Sequence, residues 1–121
     1  MATTDNCVSI HPYFSIKDGK TSEAHAYLER FVELTKSESL CLYYGFSLTE
    51  GEMHCREGYT GAEGLLAHLE NVGALLGEFL ENAADLNRLE VHGTSEELAK
   101  LKEPLAPFSP KYFTLEYGIR N

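Results

Sequence analysis

The sequence contains no tryptophan, two methionines, three cysteines and four prolines. Without an indole, no site that depends on one can form. Cys7, Cys41 and Cys55 are widely spaced, none forms a Cys-x-x-Cys pair, and an odd number cannot close fully into internal disulfides. They read as reduced, mostly buried thiols of a cytoplasmic protein. Positive charge is scarce too: Lys plus Arg is 10 against 19 Asp plus Glu, for a net charge of −9. Nucleic acid and anionic membrane surfaces both require a positive field, so neither is an expected partner. No stretch approaches the ~18 consecutive apolar residues of a membrane span. The opening Met-Ala-Thr-Thr-Asp-Asn has neither the basic region nor the apolar run of a signal peptide. Nucleophile elbow, phosphate-cradling glycine loop and dinucleotide fingerprint are missing. Besides His68, the histidines His11, His25, His54 and His92 are scattered over four segments with no ligand spacing, so no metal is expected.

What is present fits one domain spanning 1–121. The 121 residues are 43% hydrophobic and 24% charged, enough for a single ordinary core. Val8, Ile10, Phe14 and Ile16 alternate with Ser9, His11, Tyr13 and Ser15, which gives a first strand, and Pro12 marks an edge or a bulge in it. Residues 21–37 read as a helix, with Ala24, Leu28 and Phe31 on its apolar face and Thr21 or Ser22 as N-cap. Residues 40–48 and 52–59 read as strands joined by a Glu50-Gly51 turn. Thr60-Gly61-Ala62-Glu63 is a capping-box pattern opening a long helix striped by Leu65, Leu69, Val72, Leu76, Phe79 and Leu80. Its glycines, Gly61, Gly64, Gly73 and Gly77, suit close approach to a neighbouring element. A short strand at Leu89–Val91 follows. A second capping box at Thr94-Ser95-Glu96-Glu97 then starts a short helix, and a final strand spans 112–119. The order β-α-β-β-α-β is the ferredoxin-like split βαβ pattern, α+β with an antiparallel sheet. Residues 8–92 form the core, and 93–121 add the short helix and C-terminal strand.

A two-residue turn at Glu50-Gly51 pairs Leu48 with Met53, Phe46 with Cys55, Tyr44 with Glu57 and Leu42 with Tyr59. Glu57 then sits within an apolar face and must be hydrogen-bonded, paired or protonated, with the Tyr44 hydroxyl directly across. His68 lies at the edge of the long helix's apolar stripe, on the side of Phe79. Two readings stand for each residue. Glu57 is a structural anchor or a base, and His68 is a boundary histidine or a pocket acid/base. The candidate catalytic residues are His68, Glu57 and Tyr44, with Tyr59, Phe46, Leu65 and Phe79 lining a pocket.

Residues 8–92, about 70% of the chain, resemble the antibiotic biosynthesis monooxygenase domain of the dimeric α+β barrel superfamily. The resemblance is carried, in order, by Asp18-Gly19-Lys20 after the first strand, Phe31 on the first helix and Glu38-Ser39-Leu40-Cys41-Leu42-Tyr43-Tyr44. Glu57 and Tyr59 on the third strand and Ala67-His68-Leu69 on the second helix complete it. It implies a homodimer whose sheets close a barrel, with the C-terminal strand reaching the partner. Independently, helices cover only one face of such a sheet, and a second copy can cover the other. The resemblance further implies a cofactor-independent monooxygenase of quinol- or phenol-like aromatics. In such an enzyme His68 or Glu57 takes a phenolic proton and the resulting anion reacts with dioxygen. The family's haem-degrading branch relies on a tryptophan that this chain lacks. The alternatives are a non-enzymatic dimeric small-molecule-binding or stress-related barrel with a filled pocket, and an isomerase or lyase using the same base without oxygen.

Overall fold

The computed structural model describes residues 3–121; Met1 and Ala2 of the polar opening lie outside the described residues. The elements are β1 (Cys7–Ile16), α1 (Thr21–Thr35), β2 (Cys41–Thr49), β3 (Glu52–Thr60), α2 (Gly61–Asn82), β4 (Ala84–Gly93), α3 (Ser95–Ala99), a 3-10 turn (Ala106–Phe108) and β5 (Lys111–Thr114). The strands form one sheet in the order β2-β3-β1-β4-β5. The fold is α+β and ferredoxin-like. Its sheet is mixed rather than antiparallel, because β5 runs parallel to β4, Glu90 opposite Lys111 through Gly93 opposite Thr114. The crossover through α3 and the 3-10 turn returns the chain to the same end of the sheet. The last strand is thus shorter than 112–119 and pairs with its own chain's β4, leaving Tyr117 and Ile119 80% and 85% exposed beyond it.

Pro12 sits in a central strand, not an edge. The β1–β4 register shifts between Tyr13 and Phe14, so the proline is accommodated beside a bulge. The β2–β3 hairpin pairs Tyr44 with Glu57, Phe46 with Cys55 and Leu48 with Met53, as the turn dictates. Beyond Tyr43 it departs from that register: a second bulge places Cys41, not Leu42, opposite Tyr59. Leu42 is left 43% exposed.

α1 and α2 cover one sheet face. Val8, Ile10, Tyr59, Leu65, Val91, Leu98, Leu101 and Leu105 form one buried cluster. Phe14, Ala24, Leu28, Phe31, Met53, Val72 and Phe79 form a second. Burial of each large side chain stabilises the fold by about 1.5–3 kcal/mol, and the three rings Phe14, Phe31 and Phe79 meet edge-to-face at 5.3 Å.

The α2 N-terminus is capped from a distance. Thr60 makes no side-chain cap bond; instead the Glu97 carboxylate of α3 accepts a hydrogen bond of 2.8 Å from the Ala62 N–H. Thr94 caps α3 as its motif requires, its hydroxyl accepting from the Glu97 N–H. α1 starts at Lys20 without a side-chain cap, so neither Thr21 nor Ser22 serves. Of the four α2 glycines, Gly64 makes the close approach: a Cβ there would lie 2.9 Å from Tyr59 Cβ and 3.1 Å from Leu40. Gly61 instead supplies a φ of +65° at the strand-to-helix corner, while Gly73 and Gly77 face open space.

Candidate functional site

A cavity of about 60 Å³ lies between the sheet and α2, where the two core clusters meet. At ~10–15 Å³ per water molecule that is room for a few. Its walls are almost wholly apolar, and its polar groups come from one end: Tyr44, Cys55, Glu57 and His68.

Alternation along β3 puts Cys55, Glu57 and Tyr59 on the helix-covered face. Glu57 is 5% exposed. The Tyr59 hydroxyl donates to its Oε1 at 2.5 Å, and His68 Nε2 lies 3.5 Å from the same oxygen. Burial, opposed by the hydrogen bonds from Tyr59 and Cys55, pushes the Glu57 carboxyl up to about 7. A carboxyl poised there can give or take a proton at neutral pH.

His68, on α2, is 3% exposed. Its Nδ1 lies 3.0 and 2.9 Å from the two oxygens of Glu38, in the α1–β2 loop. Asn71, one turn further along α2, donates to Glu38 Oε2 at 2.7 Å and to the Leu34 carbonyl at 3.0 Å. The Glu38 carboxylate accepts, so Nδ1 of His68 carries the proton and Nε2 presents its lone pair toward Glu57. Burial lowers the His68 pKa, with Glu38 opposing, which favours neutral imidazole. The result is a hydrogen-bonded chain that runs from exposed Asn71 through Glu38 to buried His68, Glu57 and Tyr59, with His68 and Glu57 at the cavity wall.

Of the residues singled out from the sequence, Glu57, His68, Tyr44, Phe46 and Phe79 line this cavity. Tyr44 does not supply the hydroxyl for Glu57. Its ring packs on His68 at 5.1 Å and edge-on to Phe46 at 5.4 Å, and the hydrogen bond comes from Tyr59, two residues along the same strand. Tyr59 itself is fully buried behind the wall, with its ring 5.1 Å from His68. Leu65 does not reach the cavity, being packed into the cluster with Val8 and Val91. Burial holds the Tyr44, Tyr59 and Cys55 pKa values far up, so these groups stay protonated and act as hydrogen-bond partners, not nucleophiles.

Sequence reasoning passed over Glu38 and Asn71 as site residues. Glu38 is a loop residue thirty positions from His68 and carries no local signal, whereas Asn71 stands at i+3 from His68 on one helix face.

On the opposite, helix-free face, three of the scattered histidines converge. His11 stacks at 5.9 Å on His54 and lies 4.3 Å from His92. Burial and its two neighbours lower the His11 pKa to about 4. Among the described residues no group of three His, Cys, Asp or Glu has the geometry to hold a metal ion. No helix there is long and apolar enough to cross a membrane.

No protein-family model matches the chain, and no curated protein matches it. Solved structures do. MupZ from Pseudomonas fluorescens superposes with a TM-score of 0.93 at 40% identity, over 100% of this chain and 94% of that one. A candidate antibiotic biosynthesis monooxygenase from Caulobacter crescentus superposes with a TM-score of 0.65 at 17% identity, covering 72% of this chain and 88% of that one. Rv0793 from Mycobacterium tuberculosis does so with a TM-score of 0.61 at 21% identity, covering 70% and 91%.

Proposed function

The chain and MupZ belong to one family, with the fold that the antibiotic biosynthesis monooxygenase-like structures share, and on that premise we propose that this chain is an enzyme whose Glu57–His68 pair moves a proton at a weakly polar substrate. The observation that carries the proposal is the placement of a carboxyl poised near pH 7 at 3.5 Å from a neutral, Glu38-oriented imidazole, at the wall of an apolar cavity.

The reaction that the family suggests is cofactor-independent monooxygenation of a quinol- or phenol-like aromatic. His68 Nε2 or the ionised Glu57 takes the phenolic proton. The anion, held in a dry apolar site, is electron-rich enough to react with dioxygen. Tyr44 and the surrounding phenylalanines provide the flat contacts that such a ring needs. The functional unit is a homodimer in which a second copy covers the helix-free face. Support for this comes from the two helices lying on one side only and from the exposed Tyr117 and Ile119 beyond β5.

A second reading is favoured by the proton chain itself. Glu38–His68–Glu57 is complete as an acid–base relay and serves an oxygen-independent isomerisation or elimination equally well. Oxygen uptake with a panel of reduced quinols and phenols separates the two. Uptake above spontaneous oxidation, lost in His68→Ala, supports monooxygenation. Turnover or solvent-deuterium exchange under anaerobic conditions, again lost in His68→Ala, supports the second reading. Neither signal in the wild-type protein refutes both.

A further inference from the structure

We propose that Phe108 is the entrance residue of the His68–Glu57 cavity, admitting the ligand and limiting its size. The inference rests on the reading of this cavity as the reaction site. Glu57 and His68 are 5% and 3% exposed, so a ligand reaches them through the apolar part of the cavity, past its more exposed lining residues. The cavity runs beneath α2 from Tyr44 and Glu57 on β2 and β3 to Leu86 and Leu89 on β4, and it ends at Leu105 and Phe108.

Most of this wall is strand or helix, locked by ladder or helical hydrogen bonds. The 3-10 turn is different. Of all the lining residues Phe108 alone is exposed, at 36%. Its turn is closed by two backbone bonds, Phe108 N–H to Leu105 O at 3.0 Å and Ser109 N–H to Ala106 O at 3.1 Å. Fully buried Leu105 anchors the near end. At the far end Ser109 has a φ of 48°, the single positive φ outside glycine among the described residues. An L-residue rarely holds this conformation. Pro107 and Pro110 stiffen the flanks, so the turn stays in place and the phenyl ring clears the mouth by rotation about its own Cα–Cβ bond.

The absence of tryptophan from the chain makes Phe108→Trp a unique emission reporter at the entrance. Benzene, a neutral apolar ring about the size of a few water molecules, is the probe, and its exchange into the full chain is followed by NMR. Phe108→Ala is expected to exchange benzene about tenfold faster than the wild type, since the side chain at the mouth is gone. The indole of Phe108→Trp is expected to shift its emission and to lose accessibility to acrylamide when benzene binds. Phe113→Ala is the control, since this exposed ring packs on His92 at 4.9 Å on the other sheet face; it should leave the exchange rate unchanged. Equal rates for wild type and Phe108→Ala, equal acceleration by Phe113→Ala, or no benzene uptake by Phe108→Ala would each overturn the proposal. Benzene entry needs no turnover. Failure to find any reaction would therefore count against the acid–base reading alone.

Discussion

Replacing Glu57 by glutamine isolates the free energy stored in the buried carboxyl. Glutamine keeps the shape and an oxygen that accepts from Tyr59, but it cannot ionise. In the wild type the folded-state pKa is about 7 against an ordinary value of 4.5. The folded protein therefore holds this proton more tightly than the unfolded chain. That stabilisation is fully present below pH 4.5 and is lost as the pH rises through 7. At about 1.4 kcal/mol per pH unit, the wild type loses roughly 2–3 kcal/mol relative to Glu57→Gln between pH 5 and pH 8.5. Urea denaturation of both proteins at the two pH values measures this directly. The histidines remote from Glu57 titrate in both proteins and cancel in the difference, and repeating the pair of measurements in a His68→Gln background removes the contribution of His68, 3.5 Å away. Glu57→Gln should gain on the wild type by that amount at the higher pH, with equal m-values. A difference that does not change with pH would show that Glu57 has the same pKa folded and unfolded, and the account of its burial would fail.

Other perturbations follow the same chain. His68→Ala should lower the rate of any catalysed reaction by about 10²–10⁴-fold, measured as kcat on the first substrate identified. Glu38→Gln, which orients His68 without touching the substrate, should lower kcat with little change in KM, and it should shift the pH profile because the imidazole loses its anionic partner. Gly64→Ala forces a Cβ to within 2.9 Å of Tyr59 and 3.1 Å of Leu40. It should cost about 1–3 kcal/mol in urea denaturation, whereas Gly77→Ala, facing open space, should stabilise α2 modestly. His11 is held neutral by burial, its pKa lowered to about 4; the stability that its neutrality provides is present above pH 6.5 and is lost as the pH falls. His11→Gln should therefore narrow the gap between Tm at pH 7 and Tm at pH 5.

The parts of this site legible in the sequence are those fixed by local periodicity. Strand alternation and a two-residue turn sufficed to put Glu57 opposite Tyr44, and helical spacing set His68 toward the sheet. Where a bulge intervened, at Leu42, alternation gave the wrong partner, because one unpaired residue exchanges the faces. The same limit hid the hydrogen bond from Tyr59: Tyr44 is nearer across the ladder, but the hydroxyl that reaches Glu57 is two residues away on its own strand. Glu38 was illegible for a different reason. Its role arises from the way the α1–β2 loop crosses α2, a tertiary contact that leaves no local pattern. The α2 cap shows the same effect, with Thr60 fitting the motif while Glu97, from a distant helix, makes the bond.

Glu57 and Nδ1-protonated His68 form an acid–base pair poised at neutral pH. An NMR titration of the full chain, following the Glu57 side-chain carboxyl carbon and the His68 ring nitrogens, tests it without a substrate. A Glu57 inflection near pH 7 is expected, with a neutral His68 imidazole that carries its proton on Nδ1 at that pH. A Glu57 inflection near 4.5, with His68 charged at neutral pH, would contradict it.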